Sequence, residues 1–507
     1  MPTLPTPPRP TIFLETYGCQ MNVLDSELVR DQLATLGYRF VQSPEEAGVV
    51  LLNTCSVRDL SEHKVWSKLG RLGIDKREER PELVIGVLGC MAEREGHSII
   101  KRTPQVDLLC GPSNLDELPA LVENALLNRG RQVSLAGHTS RRSQTLEHAG
   151  NQLENLDLAR VFSPGSGVAQ AYVRVTRGCN KFCSFCVVPY TRGAEVHRSP
   201  DHILEEVKRL VGAGVLEVTL LGQTINHYLH HDGARTTSFA DLLWRIHEEV
   251  PDLPRLRFLT SYPRDFGDDA LDVMAAAPRI CRYLHIPAQS GSNAVLQRMN
   301  RGYTVEAYED LLLRARQRMP DIRLAGDMIA GFPGESDADH AASVAMLRRA
   351  RYKSCYVFKY SPRSGTLAAR RYPDDIPEGL KKARNLELLE VQAEVTRTLF
   401  DSYVGQRLDV LVEDQSRLRD DSEPAVHESQ GGGVHLGWHN RTRPSGWVRL
   451  RGRTPGDEIV AFDGPVELIG RLTQVRAVRA TPLTIMAEWC QPPGAAPQPS
   501  PELPVQG

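Results

Sequence analysis

The chain has 507 residues, 41% of them hydrophobic, 24% charged and 6% aromatic, with a formal net charge of −2. That length exceeds one ordinary core and predicts two to four domains, while the near-neutral charge confines any nucleic-acid site to a local basic patch. No stretch reaches the length of a membrane span, and ten cysteines are too sparse for a secreted disulfide scaffold, so a reducing cytoplasm is the expected compartment.

The first ten residues, "MPTLPTPPRP", read as a disordered Pro-rich lead. From residue 11 to 136, short apolar runs alternate with helical text. "TIFLET" precedes an amphipathic stretch through Asp25–Leu36, "GVVLLNT" precedes a charged helix, and "ELVIGVL" and "QVDLL" repeat the scheme. Such βαβ units predict a mainly parallel, doubly wound sheet. A polar segment starting at Gly137 reads as a linker over residues 137–168.

Over residues 169–400 the alternation resumes with "AYVRVT", "VLEVTLLG", "RLRFLTS", "RYLHIPA", "IRLAGDMIAG" and "SCYVFKYS". Six strand–helix repeats suit a partial (βα)6 barrel with function at the C-terminal strand ends. The helical text "GLKKARNLELLEVQAEVTRTLFDSYV" closes this region. After Gly405 the text changes to short β runs ("RLDVLVED", "GWVRLRG", "DEIVAF", "GPVELIGRLTQV"), which predict a small all-β barrel over residues 401–473. Residues 474–507 read as a largely disordered tail. The expected fold class is therefore α/β multidomain, ending in a small β-barrel.

Two cysteine constellations carry the chemistry. Cys179, Cys183 and Cys186 form C-x3-C-x2-C directly after a predicted strand. Structural zinc wants four closed ligands, and iron–sulfur clusters usually take four cysteines. Three thiols without a near fourth suggest a cluster with one iron open to another ligand; the alternative, buried structural cysteines, fits poorly beside Gly178, Asn180 and Lys181. Cys19, Cys55 and Cys90 each end a predicted strand, in "FLETYGC", "VLLNTC" and "VIGVLGC". In a parallel sheet those ends share one edge, where open α/β folds bind ligands. Cys110 ends a fourth run and has the position to join them. Cys281, Cys355 and Cys490 stand alone.

With Phe185 just before its last cysteine, the first constellation resembles the signature of radical S-adenosylmethionine (SAM) enzymes. That resemblance implies a 4Fe-4S cluster on Cys179, Cys183 and Cys186, SAM on the open iron, and one-electron cleavage of SAM to a 5′-deoxyadenosyl radical. Together with the N-terminal triad, the chain resembles the radical SAM methylthiotransferase family from about Thr11 to Leu472. The match runs through "TYGCQMN", "GCMAER", "LLGQTINHY", "HIPAQSGSNAVLQRMNRGYT", "DMIAGFPGE" and "YSPRSGT". It implies a second 4Fe-4S cluster on Cys19, Cys55 and Cys90 that delivers sulfur, leaves Cys110 structural, and casts the small barrel as an RNA-binding TRAM domain. Phe185, Gly222, Gln223, Gln289 and Ser290 become candidate SAM contacts, the rival reading being that these polar residues merely turn βα loops.

"NTCSVRDLSEHKVWSKLGRL" and "CVVPYTRG" resemble the subfamily that modifies N6-isopentenyl(dimethylallyl)adenosine at position 37 beside the tRNA anticodon (the MiaB type). The alternatives are methylthiolation of threonylcarbamoyladenosine in tRNA, methylthiolation of a ribosomal-protein aspartate, and, remotely, a non-catalytic Fe-S RNA-binding or sensor protein. Arg177 and Ala194 depart from that subfamily, which usually has Glu at both places. Implied partners are the tRNA anticodon stem-loop, an electron donor such as flavodoxin or ferredoxin, and an unnamed sulfur donor, for a monomer with no membrane. For RNA, Arg441, Arg443, Arg449, Arg451 and Arg453 interleave with Trp438 and Trp447, with no acid between Glu428 and Asp457. Arginine beside aromatics suits phosphate contact and base stacking; a solvated hairpin is the equal alternative.

Overall fold

The computed structural model describes residues 9–56, 59–136, 154–160, 168–233, 235–416 and 446–490. The chain divides into two compact units, one through Ala393 and one from Glu394.

The first unit begins with β1 (Ile12–Thr16), α1 (Gln20–Thr35), β2 (Val49–Thr54), α2 (Asp59–Glu78) and β3 (Val84–Gly89). It continues with α3 (Cys90–Arg102), β4 (Leu108–Cys110), α4 (Leu118–Asn128) and β5 (Gln132–Ser134). All five strands are parallel and lie in chain order. The apolar runs are continuous because both sheet faces are covered. In β2, Val49 and Leu51 join a core with α1 and α4, while Val50 and Leu52 point to the opposite core with α2 and α3. Each such side chain contributes about 1.5–3 kcal/mol on burial.

A second set of parallel strands follows in the same unit: β6 (Gln170–Arg174), β9 (Glu217–Leu221), β12 (Arg255–Phe258), β13 (Tyr283–His285), β14 (Arg323–Ala330) and β15 (Ser354–Lys359). They pair as β12-β9-β6 and β13-β14-β15, with a parallel bridge from Leu256 to Ile280 between the two halves. Two short antiparallel pairs decorate the rim, β7 (Thr176–Arg177) with β8 (Val196–His197) and β10 (Leu229–Asp232) with β11 (Arg235–Ser238). All six expected strands are present. Part of the segment expected as linker is folded. Residues 154–158 are helical, and Asp157 and Arg160 are buried because they meet charges on β6 and α1; the rest of residues 137–167 lies outside the described residues.

The second unit is a closed barrel of β16 (Arg407–Gln415), β17 (Trp447–Arg453), β18 (Ile459–Pro465), β19 (Leu472–Ala480) and β20 (Ile485–Trp489). It runs past residue 473, where the sequence reading ends it. Val475 and Ala477 of β19 and Ile485 and Ala487 of β20 fill its core, and without β20 the barrel does not close. Among the described residues no helix is long and apolar enough to cross a membrane.

Candidate active site at two cysteine triads

Cys19, Cys55 and Cys90 follow β1, β2 and β3 on one edge of the N-terminal sheet. Cys19 caps α1, Cys55 follows β2 directly, and Cys90 opens α3. Gly18 makes the approach possible: its φ is +122°, and a Cβ there would fall 2.2 Å from Cys55 Cβ. A hydrogen bond with Cys55 brings the Cys19 thiol down to about 6 against its burial, with help from Arg192. Burial pushes the Cys90 thiol up, opposed by Arg192 and reinforced by the nearby Cys19. The three thiols therefore share one neighbourhood. Behind them lies a buried amide network. Cys19 Sγ donates to Asn22 Oδ1 at 3.2 Å, Asn22 Nδ2 to Asn53 Oδ1 at 3.1 Å, and Asn53 Nδ2 to Ser26 Oγ at 2.9 Å. Cys110 is separate. It lies in the core with its thiol on Asn114 O at 3.2 Å, in line with a structural role.

Cys179, Cys183 and Cys186 sit in the loop between β7 and β8. Gly178, at φ +75°, lets this loop close, because a Cβ there would meet Ala194 O at 2.0 Å. The contact at residue 194 is thus a backbone carbonyl, which any residue supplies equally. Cys179 Sγ lies 3.3 Å from Thr224 Oγ1, and Cys183 Sγ accepts from Arg301 Nη1 at 3.3 Å. Burial raises the Cys179 and Cys186 thiols, and Cys183 raises both further, so this triad is also mutually close. The loop is stitched to the segment before Tyr303 by Ser184 N on Met299 O, 2.9 Å, and Asn300 Nδ2 on Phe182 O, 2.9 Å.

The two sites meet through Arg192. It follows Cys186 by six residues, of which Val188–Thr191 form a helical turn. Even fully extended, six residues span at most about 20 Å. Its guanidinium is buried, binds Asp25 Oδ2 of α1 at 2.7 Å, and stands beside Cys90. Asp25 also accepts from Arg174 at 3.4 Å, and Arg174 grips Asp157 through Nη2 at 2.8 Å. Arg177 lies near the same cluster; burial and the neighbouring Arg174 and Arg192 work against its charge, though an arginine keeps its proton.

The candidate SAM contacts divide. Gly222 follows β9 with Thr176 Oγ1 against it, and Gln223 Oε1 is buried without a hydrogen-bond partner among the described residues. Among the described residues Thr176 Oγ1, Ser261 Oγ and, in the loop before β8, Glu195 Oε1 are likewise without a partner. Unsatisfied buried polar atoms cost about 1–3 kcal/mol each, so several at one rim mark a cradle for a polar ligand. Gln289 occupies φ +74° at the strand end, donating its N–H to Asp327 O. Ser290 is turned inward to Ser343, and Phe185 packs on a small core with Met299, Phe332 and Tyr360. Three thiols plus orphaned polar atoms fit a cluster and SAM. Among the described residues no three His, Cys, Asp or Glu side chains converge as tightly as a single metal ion needs; a four-iron cube is a wider object.

In the second unit, the β17 arginines do not form the unpaired cationic strip their sequence suggests. Arg449 pairs with Asp463 at 2.6 Å, Arg451 with Asp414 at 2.9 Å, and Arg453 with Glu413 and Asp457 at 2.9 Å. These acids come from neighbouring strands and the adjoining turn, which spacing along one strand cannot reveal. Trp447 meets Trp489 edge-on at 5.7 Å. Arg441, Arg443 and Trp438 lie outside the described residues. Sequence reasoning gave no role to Asn22, Asp25, Asn53, Arg174, Arg192, Thr224 or Arg301, although several stand inside the quoted motifs.

Residues 11–111 match the uncharacterized protein family UPF0004, and residues 173–347 match the radical SAM superfamily. A solved radical S-adenosylmethionine methyltransferase, TsrM from Kitasatospora setae with cobalamin and a [4Fe-4S] cluster bound, shares the fold. Its TM-score is 0.52 at 16% identity, covering 71% of this chain and 74% of that one. The tRNA-2-methylthio-N(6)-dimethylallyladenosine synthases of Rhodopirellula baltica and Syntrophotalea carbinolica are each 39% identical, covering 92% of this chain and 92% and 96% of their own lengths. The enzyme of that name from Moorella thermoacetica is 39% identical over 93% of this chain and 96% of its own. With near-complete coverage at this identity, the chain belongs to the family of tRNA-2-methylthio-N(6)-dimethylallyladenosine synthases.

Proposed function

We propose that this enzyme transfers a methylthio group to C2 of N6-dimethylallyladenosine at position 37 of tRNA, using SAM, a 4Fe-4S cluster on Cys179, Cys183 and Cys186, and a second on Cys19, Cys55 and Cys90. The observation that carries this reading is Arg192, which ties the barrel's cysteine loop to the N-terminal triad within about 20 Å of chain. No side chain has the reactivity to replace hydrogen on an unactivated aromatic carbon; bound cofactors supply the radical and the sulfur.

The chain's own groups then bind, orient and exclude water. Arg301 and Thr224 fix two barrel thiols, and the Asn22–Asn53–Ser26 network fixes the N-terminal edge. Thr176, Gln223 and Ser261 offer SAM polar atoms that find no partner among the described residues. The anticodon stem-loop is the macromolecular substrate, with the C-terminal barrel as its RNA-gripping unit. There, Arg449, Arg451 and Arg453 reach phosphates only by releasing their acidic partners. An electron donor of the flavodoxin or ferredoxin kind, a monomeric state and a cytoplasmic setting complete the proposal.

Mass analysis of tRNA nucleosides from a deletion strain tests it. Loss of the 2-methylthio group with the dimethylallyl group retained is expected. Unchanged tRNA refutes the substrate, and an unmodified ribosomal-protein aspartate in that strain points to the other branch. In single-turnover assays, Ala at Cys19, Cys55 or Cys90 stops methylthiolation but leaves SAM cleavage, whereas Ala at Cys179, Cys183 or Cys186 stops both. Wild-type product formation by an N-terminal variant defeats the second-cluster assignment.

A further inference from the structure

Arg192 belongs to the barrel domain by sequence and to the N-terminal triad by position. Its side chain is 3% exposed, so its charge has left water and needs partners. Asp25 takes one prong of the fork, Nη2, at 2.7 Å. The other, Nη1, is buried and has no well-formed hydrogen bond among the described residues; the Cys90 thiol is the sulfur that feels this guanidinium most directly. The guanidinium stands next to Cys90 and acts on Cys19 as well. Arg177 lies close enough to repel this charge, and an orphaned guanidinium N–H is costly unless something anionic accepts it.

We propose that Arg192 is a positioning residue of the N-terminal site, donating through Nη1 to an anionic sulfur held by the Cys19, Cys55 and Cys90 triad. The proposal rests on the reading that this triad binds a cluster. Because arginine cannot lose its proton, the donated charge is permanent. It favours the more negative, reduced state of the cluster and holds added sulfide against the open iron. The N-terminal site is then incomplete without the barrel, which explains why a residue six positions past Cys186 crosses the domain seam.

The test uses the full chain with Cys179, Cys183 and Cys186 all changed to Ala, so that any iron bound is at the N-terminal triad. Iron content, the midpoint potential by EPR-monitored titration, and the affinity for sodium sulfide are measured. Adding Arg192→Gln is expected to lower the potential and weaken sulfide binding about tenfold, a tenfold change being about 59 mV for a one-electron couple. Arg192→Lys recovers part of both. Iron retained with potential and sulfide affinity unmoved in Arg192→Gln overturns the proposal alone. A parent that binds no iron overturns the cluster reading and the proposal together. Should Arg192→Gln not fold, Asp25→Asn decides: leaving the guanidinium uncompensated raises the potential, and an unchanged potential overturns the role.

Discussion

Asp157→Asn removes the carboxylate that holds Arg174 through 2.8 Å and 3.1 Å hydrogen bonds. The two side chains are 3% and 2% exposed, so this pair is not a surface ion pair, for which the cost stays below about 1 kcal/mol. Stranding one charge of a buried pair costs about 3–5 kcal/mol. Arg174 keeps Asp25 at 3.4 Å, but Asp25 is already committed to Arg192 at 2.7 Å. That residual contact puts the expectation at the low end, about 3 kcal/mol, or roughly a hundredfold in an opening equilibrium. A chain of several domains does not unfold in one step, so the readout is native-state hydrogen exchange of the β6 amides rather than a melting midpoint. Protection of Tyr172–Arg174 should fall about a hundredfold. A change below about fivefold, near 1 kcal/mol, refutes the reading that this buried pair holds β6 in place.

Gln223→Leu removes a buried acceptor that finds no partner among the described residues; SAM affinity should fall about tenfold or more at unchanged iron content, and equal affinity counts against Gln223 as a contact. Arg301→Gln should lose iron from the barrel triad and slow SAM cleavage more than Arg301→Lys, because Lys keeps the charge beside Cys183 but not the bonds to Pro287 O and Tyr303; equal values for Gln and wild type exclude the role. Burial lowers His197 to about 4, opposed by Glu195 and reinforced by His227, His230 and His231. Its neutral burial stabilises fully above pH 6.5, and that contribution, at most about 3 kcal/mol, is lost as pH falls toward 4. Protection factors around β8, taken against the intrinsic exchange rate at each pH, should therefore fall across that window in the wild type and not in His197→Asn, and an identical acid response in both refutes the assignment.

How much of this is legible in the sequence depends on where each interaction partner sits in the chain. The strands are, because burial on both faces writes a continuous apolar run: "VVLLNT" and "VIGVLG" carry β2 and β3 entire. The cysteines are legible for the same reason, since strand ends in a parallel sheet share an edge wherever they fall in sequence. The β17 arginines misled because pairing across strands joins positions far apart in sequence. Asp414 and Glu413 lie more than thirty residues before Arg451 and Arg453, so a window free of acids says nothing about their neutralisation. β20 escaped notice because a strand of five residues with two inward positions hardly differs from a tail.

The seam shows the same limit at greater reach. Asp25, Asp157, Arg174 and Arg192 form one chain of buried charge, yet Asp25 and Arg192 stand 167 residues apart. A buried charge network of this kind gains little stability over an apolar interface of equal size, because desolvation offsets most of the attraction. What it does fix is geometry: a guanidinium fork admits few arrangements of its partners, whereas apolar faces slide. On the proposed function the two cysteine sites act on one substrate, and they then need a fixed separation more than a stronger interface. On that argument the seam's charges are positional, and substituting them with well-packed apolar residues should preserve folding better than it preserves coupling between the two cysteine sites.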